Sequence, residues 1–153
     1  MGFKMSRNQI TFESIGTNWV IDLIDVPAGL DIDRVEKIIR QRISIFDNNY
    51  SRFRADSWVS QLAKKAGTYP LPSDAKLLID LYFQLFQLTS GALTPLIGQL
   101  ISDAGYDSEY SLQPKTLKSV PNWNDVITYT DQSITLSQPT IIDFGAAGKG
   151  YLI

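Results

Sequence analysis

An α+β architecture is the expectation for this chain, and three features carry it. β-prone segments stand near both ends, over 10–26 and over 126–144, while helical patterns cluster between them. The resulting order β, α, α, α, β, β, β lacks the alternation of a doubly wound sheet and fits an antiparallel or mixed sheet with grouped helices. The composition is that of a folded domain: 153 residues, 44% apolar, 11% aromatic, formal net charge −2. A chain of this length buries roughly 68–70% of the surface it exposes when unfolded, enough for one core, and the aromatic content excludes disorder.

Thr, Ile, Val and Trp dominate Ile10 to Val26, with Gly16 suited to a bulge or close backbone approach and Pro27-Ala28-Gly29 closing the strand. Asp31 or Asp33 then caps a helix whose apolar positions Val35, Ile38, Ile39, Ile43 and Phe46 recur at spacings of three and four. The stretch Asp47 to Arg54 mixes polar and aromatic residues and reads as a loop leading toward a site. Ser57 is placed to cap a short helix through Ala66, with Gly67 as its stop.

Ser73 and Asp74 open the strongest helical pattern. Its apolar positions Leu77, Leu78, Leu81, Tyr82, Leu85, Phe86 and Leu88 make a face too wide for a surface helix, which predicts the core helix. Thr89-Ser90-Gly91 ends it, and Pro95 starts a short helix through about Ile101. After the irregular stretch Ser111 to Asn124, Val126–Tyr129 and Ser133–Leu136 read as a hairpin around Thr130-Asp131-Gln132, with a further strand over Thr140–Phe144. No repeat or low-complexity block divides the chain, so one domain is expected over 10–153, with 1–9 a leader or disordered N-terminus.

The counts exclude several function classes. Zero Cys and zero His remove disulfides, thiol nucleophiles, imidazole bases and the usual zinc ligands, so any bound metal is hard and oxygen-ligated. Fourteen Lys and Arg against sixteen Asp and Glu leave no global charge that attracts nucleic acid or an anionic membrane. No apolar run approaches the roughly 20 residues of a membrane span. Met1 to Gln9 lacks the apolar core of a secretory signal, which makes a cytoplasmic location the default. Met1 to Ser6 fits a loose myristoylation pattern that a leader of start-codon origin explains as well.

The most informative segment is the last, Ile141 to Tyr151. An apolar strand ends in the carboxylate of Asp143, and Gly145-Ala146-Ala147-Gly148 lets backbone come close to a ligand. A helical start there would aim N–H groups at an anion, which suits a phosphate or diphosphate beside a hard metal. A tight strand-to-helix turn with a buried helix contact explains the same residues. The segment is not a Walker A loop, because Asp143 stands where the first glycine belongs and Gly150 where Ser or Thr ligates magnesium. Nor do glycines spaced G-x-x-G-x-G make a dinucleotide fingerprint.

Small residues recur at Ile15-Gly16-Thr17 and over Thr89–Leu100, and Ser51-Arg52-Phe53 lies between them. Taken in order with Asp143-Phe144-Gly145-Ala146-Ala147-Gly148-Lys149-Gly150-Tyr151, these segments resemble the FAD:protein FMN transferase family, the ApbE-like flavin transferases. The resemblance runs over nearly the whole chain. It implies an ApbE-like α+β domain and magnesium-dependent transfer of FMN from FAD to a Thr or Ser hydroxyl of a target flavoprotein, with AMP released.

Position by position, the resemblance makes Ile15 the apolar flavin contact, where the family has Met, and Phe53 the aromatic flavin contact. Ala92, Leu93 and Thr94 stand in the loop that lines FAD, with Thr94 replacing the usual Asp. Asp143 and Lys149 are further FAD contacts, and the Ala146 carbonyl is a magnesium ligand, an oxygen donor of the kind that ion prefers. Because the family's corresponding motif lies about midway, residues 10–153 are expected to be the N-terminal part of such a domain. The missing C-terminal half becomes a partner, and little activity is expected from this piece alone. Two rival readings are a non-catalytic FAD-binding or flavin-scavenging protein, and one half of a split protein acting as an interaction module.

Overall fold

The computed structural model describes residues 7–153. They divide into two units, one up to Asp47 and one over Asn48–Ile153. The myristoylation pattern over 1–6 lies outside the described residues, and a strand already begins at Arg7 within the stretch assigned to a leader.

In the first unit β1 (Arg7–Ser14) and β2 (Thr17–Ile24) pair antiparallel from Arg7↔Ile24 to Ser14↔Thr17. Ile15 and Gly16 form the two-residue turn, both left-handed at φ +45° and +66°. That is the backbone of a type I′ hairpin, whose twist matches that of the strands. The expected single strand over 10–26 with a bulge at Gly16 is therefore a hairpin, and the glycine serves the turn. Thr17, Trp19, Ile21 and Leu23 alternate with exposed neighbours, and Trp19 stacks on its cross-strand partner Phe12 at 6.2 Å.

α1 (Ile32–Tyr50) is capped by Asp31, whose Oδ1 accepts the Arg34 N–H at 3.0 Å. Ile43 and Phe46 are buried, whereas Ile38 is 57% exposed and leaves the expected stripe. The helix continues through Asp47–Tyr50, so the expected loop begins only at Ser51. Tyr50 is buried, packed edge-on against Trp58 and Phe144, and bonded through its hydroxyl to Asp74 at 2.5 Å. Burying that ring offsets the weak helix propensity of the Asp-Asn-Asn run before it.

In the second unit Ser57 caps α2 (Trp58–Leu62) as expected, accepting the Ser60 N–H at 3.1 Å. The helix ends at Leu62 instead of reaching Ala66, and Gly67, at φ +148°, opens the unforeseen β3 (Gly67–Pro70). Gly-Thr-Tyr-Pro carries turn punctuation at both ends and shows its strand character only once a partner is present. That partner is β5 (Ser133–Leu136), which also pairs with β4 (Ile127–Tyr129) in an antiparallel sheet of order β3-β5-β4. The β4–β5 hairpin is the one expected.

α3 (Ala75–Leu88) buries Ala75, Leu78, Ile79 and Tyr82 in the core with Leu62, Leu96, Ile134, Leu136 and Ile142. Its apolar face is narrower than the sequence suggests, because Leu77 and Leu88 are 66% and 81% exposed. A 3-10 turn at Pro95–Ile97 runs into α4 (Gly98–Asp103), and two further short helices follow, α5 (Trp123–Val126) and α6 (Gly148–Leu152). The strand expected over Thr140–Phe144 is a run without regular secondary structure that joins no sheet. Instead Thr140 N–H donates to the Leu62 carbonyl at 3.3 Å and Asp143 N–H to that of Pro95 at 2.8 Å. Among the described residues no helix is long and apolar enough to cross a membrane.

Candidate functional site

The run 141–143 lies against the turn at Pro95–Gly98, and this contact places Asp143. A Cβ on Gly98 would stand 2.7 Å from Ile141 Cγ2 and 2.9 Å from its carbonyl carbon, so only glycine admits the run. Asp143 then receives two donors: Arg52 Nε at 2.6 Å on Oδ2 and the Gly145 N–H at 2.6 Å on Oδ1. The ion pair is well shielded, with the Arg52 and Asp143 side chains 6% and 16% exposed. Arg52 also donates from Nη2 to the Tyr106 carbonyl at 2.7 Å, and its guanidinium lies 4.2 Å from the centre of the Phe53 ring.

Beyond Asp143 the small-residue corner is satisfied from within. Ala147 N–H donates to the hydroxyl of the fully buried Tyr82 at 2.9 Å, and Gly148 N–H donates to the Phe144 carbonyl at 2.7 Å. The expectation that this corner aims free N–H groups at a phosphate is thus corrected. A phenol oxygen and the Asp143 carboxylate take the place of an anion, and α6 has only five residues. What the corner presents outward are Gly145, Ala146 and Lys149, all exposed.

Burial, reinforced by the nearby Asp143 charge, pushes the Tyr82 phenol up to about 12, although the backbone donors act the other way. Because the folded value lies above the ordinary 10, the associated stability is fully present below pH 10 and is lost as pH rises through 12. A shift of this size corresponds to a contribution on the order of 2–3 kcal/mol. Tyr82→Phe is expected to be less stable than wild type at pH 7, through the orphaned Ala147 N–H, yet to lose less stability between pH 10 and 12. Urea unfolding across that range checks both signs. A variant that declines as steeply as wild type would show that Tyr82 is not the titrating group.

The loop Ala92–Thr94 is also built locally. Thr89 Oγ1 donates to the Leu85 carbonyl and accepts the Leu93 N–H at 2.9 Å, while Thr94 Oγ1 accepts the Leu96 N–H at 3.2 Å and caps the 3-10 turn. Ala92 is exposed, and Leu93 and Thr94 are half-buried. Since the Pro95 carbonyl holds the Asp143 N–H, this loop, Asp143, Arg52 and the adjoining Phe53 converge. Lys149 leads out of the same corner, and among the described residues no ion pair engages it. Ile15 sits in the hairpin turn of the first unit.

Residues missed by the sequence reading are Arg52, Tyr82, Tyr106 and Tyr110. Tyr82 resembles any core aromatic on a helical face. Arg52 stood inside a segment already singled out, and a cation preceding an aromatic was its signal. Among the described residues no three His, Cys, Asp or Glu side chains group as a metal site, and both Asp143 oxygens are engaged. The exposed Ala146 backbone offers one carbonyl, well short of the octahedral oxygen shell magnesium needs. The described residues therefore do not by themselves fit that ion.

No curated protein sequence matches the chain significantly. Solved structures do. The flavinyl transferase ApbE of Pseudomonas stutzeri is similar over 100% of this chain and 54% of its own, with a TM-score of 0.81 at 17% identity. The flavin transferase ApbE of Vibrio cholerae is similar over 97% and 51%, with a TM-score of 0.84 at 17% identity. The ApbE protein of Thermotoga maritima follows at 0.76 and 15% identity, over 96% and 50%. The chain spans about half the length of these structures. Its sequence matches the ApbE family over residues 15–153, and with the shared fold this shows that the chain belongs to the ApbE family.

Proposed function

We propose that the chain is part of a flavin transferase that moves FMN from FAD to a Thr or Ser hydroxyl of a target flavoprotein. In this reaction the hydroxyl oxygen attacks the FMN phosphorus, the bond from that phosphorus to the AMP oxygen breaks, the hydroxyl proton is lost and AMP leaves. Such transfer asks a protein chiefly to position the diphosphate and offset its charge. The observation that carries the reading is the meeting of three separated segments at Asp143, through the Pro95 carbonyl and the Arg52 guanidinium.

Within it, Phe53 serves the flavin, Ala92–Thr94 and Asp143 shape the FAD cleft, and exposed Lys149 serves the phosphates. Asp143 acts through the corner it holds, because its carboxylate is already committed. Magnesium dependence belongs to the same proposal, with the Ala146 carbonyl as one ligand and the remaining oxygens supplied from outside the described residues.

Calorimetric titration with FAD, with and without magnesium, together with an assay for AMP, tests the reading. FAD binding is expected, and Lys149→Ala is expected to weaken it about two- to fivefold, the range of an exposed charge contact. Absence of heat under both conditions removes the proposal. FAD binding without AMP release, in the presence of an acceptor and the complementary half, would instead identify a non-catalytic flavin-binding protein.

A further inference from the structure

The irregular segment after α4 carries a turn built around Asp107, tied to its surroundings by Arg52 on the Tyr106 carbonyl at 2.7 Å and by Lys115 Nζ 3.9 Å from Asp107 Oδ2. Asp107 Oδ1 accepts the N–H groups of Glu109 and Ser111 at 3.1 and 3.0 Å, and its Oδ2 accepts the Ser111 hydroxyl at 2.6 Å. The base is closed by Leu112 N–H donating to the Gly105 carbonyl at 2.9 Å, between left-handed residues at φ +104° (Gly105) and +53° (Leu112). Left-handed residues thus stand at both ends of the turn.

Its tip carries Tyr110, half-exposed and held at φ +52°, a conformation that non-glycine residues seldom adopt. The Tyr110 ring lies parallel to Phe53, at 4.9 Å and 9°, while Tyr106 stands edge-on to both. Phe53 therefore already holds a guanidinium and a stacked aromatic ring. Ser108 of the same turn closes one wall of a cavity of about 110 Å³, whose other walls include Arg52, Ser60, Ser102 and Ile141. That volume is well below the roughly 300 Å³ at which ligand pockets begin.

We propose that the turn 106–111 is a displaceable cap in which Tyr110 occupies, on Phe53, the place of a planar heteroaromatic ring, so that the flavin ring binds by exchange with Tyr110. The inference rests on the flavin reading above. Displacing the tip exchanges one parallel stack for another and relieves the left-handed residue. Apparent affinity is then reduced by the fraction of molecules in which the cap is closed.

Fluorescence polarisation with FMN and FAD as probes tests this on the full chain, with folding of each variant checked by circular dichroism. Tyr110→Ala is expected to tighten binding of both probes about three- to tenfold, the gain from opening a mostly closed cap. Tyr110→Phe, which retains the stack, is expected to stay near wild type, and Phe53→Leu to weaken binding in either background. If wild type binds and Tyr110→Ala leaves the affinity unchanged or weakens it, the cap is refuted while the flavin reading stands. If no variant binds either probe, both fall.

Discussion

Arg52→Ala is expected to destabilise the chain by about 3–5 kcal/mol, the penalty for removing one partner of a buried ion pair and leaving the other uncompensated. With the Arg52 side chain 6% exposed, little water replaces the guanidinium, and Asp143 retains only the Gly145 N–H among its two described donors. The Tyr106 carbonyl and the Phe53 ring lose a partner at the same time. Arg52→Lys is expected to recover little, because an ammonium lacks the planar fork that spans a carboxylate and a carbonyl. The double variant Arg52→Met, Asp143→Leu leaves no charge orphaned and is expected to lose less than Arg52→Ala alone. Urea midpoints at constant slope measure all three. A single-variant loss below about 1 kcal/mol, the range of exposed pairs, would show that water reaches the pair freely.

Gly98→Ala is expected to cost about 3 kcal/mol or more, the upper part of the range for overpacking, because the added carbon meets the Ile141 backbone as well as its side chain. A flexible side chain can swing away, but the 141–143 run is tied to the Pro95 carbonyl and to Arg52. The substitution should shift that run, lengthen the Asp143 N–H to Pro95 bond and loosen the corner beyond it. Gly150→Ala is the control: a Cβ there meets nothing within 4 Å and lies inside α6, so it should be neutral or slightly stabilising. Thermal unfolding of the two variants, with amide exchange of Asp143 and Ala147, separates a local clash from a general loss of stability. Equal behaviour of Gly98→Ala and Gly150→Ala would overturn the close-approach argument.

Local chemistry made much of this molecule legible. Asp31 or Asp33, and Ser57, read as caps because a side-chain oxygen next to a periodic apolar run has few other uses, and Asp31 and Ser57 accept helix N–H groups. The β4–β5 hairpin followed from two short β-prone runs around a polar turn. Thr140–Phe144 alternates like a strand and buries Thr140, Ile142 and Phe144, but its backbone partners are a helix end and a turn. Periodicity reports which side chains face inward; it does not report what the backbone bonds to.

The candidate site divides along the same line. The ordered segments around Gly16, Phe53, Thr94 and Asp143 are written in the chain, and together they carry the likeness to the family. Residue types, caps and spacing act over a few positions, and for those the sequence is a sufficient description. That the Ala147 N–H of the corner is taken by Tyr82, that Asp143 is committed to Arg52, and that Tyr110 lies on Phe53 depend on contacts between residues 65, 91 and 57 positions apart. Such pairings are selected by packing the whole unit, because each partner has many alternatives along the chain and only the assembled core removes them.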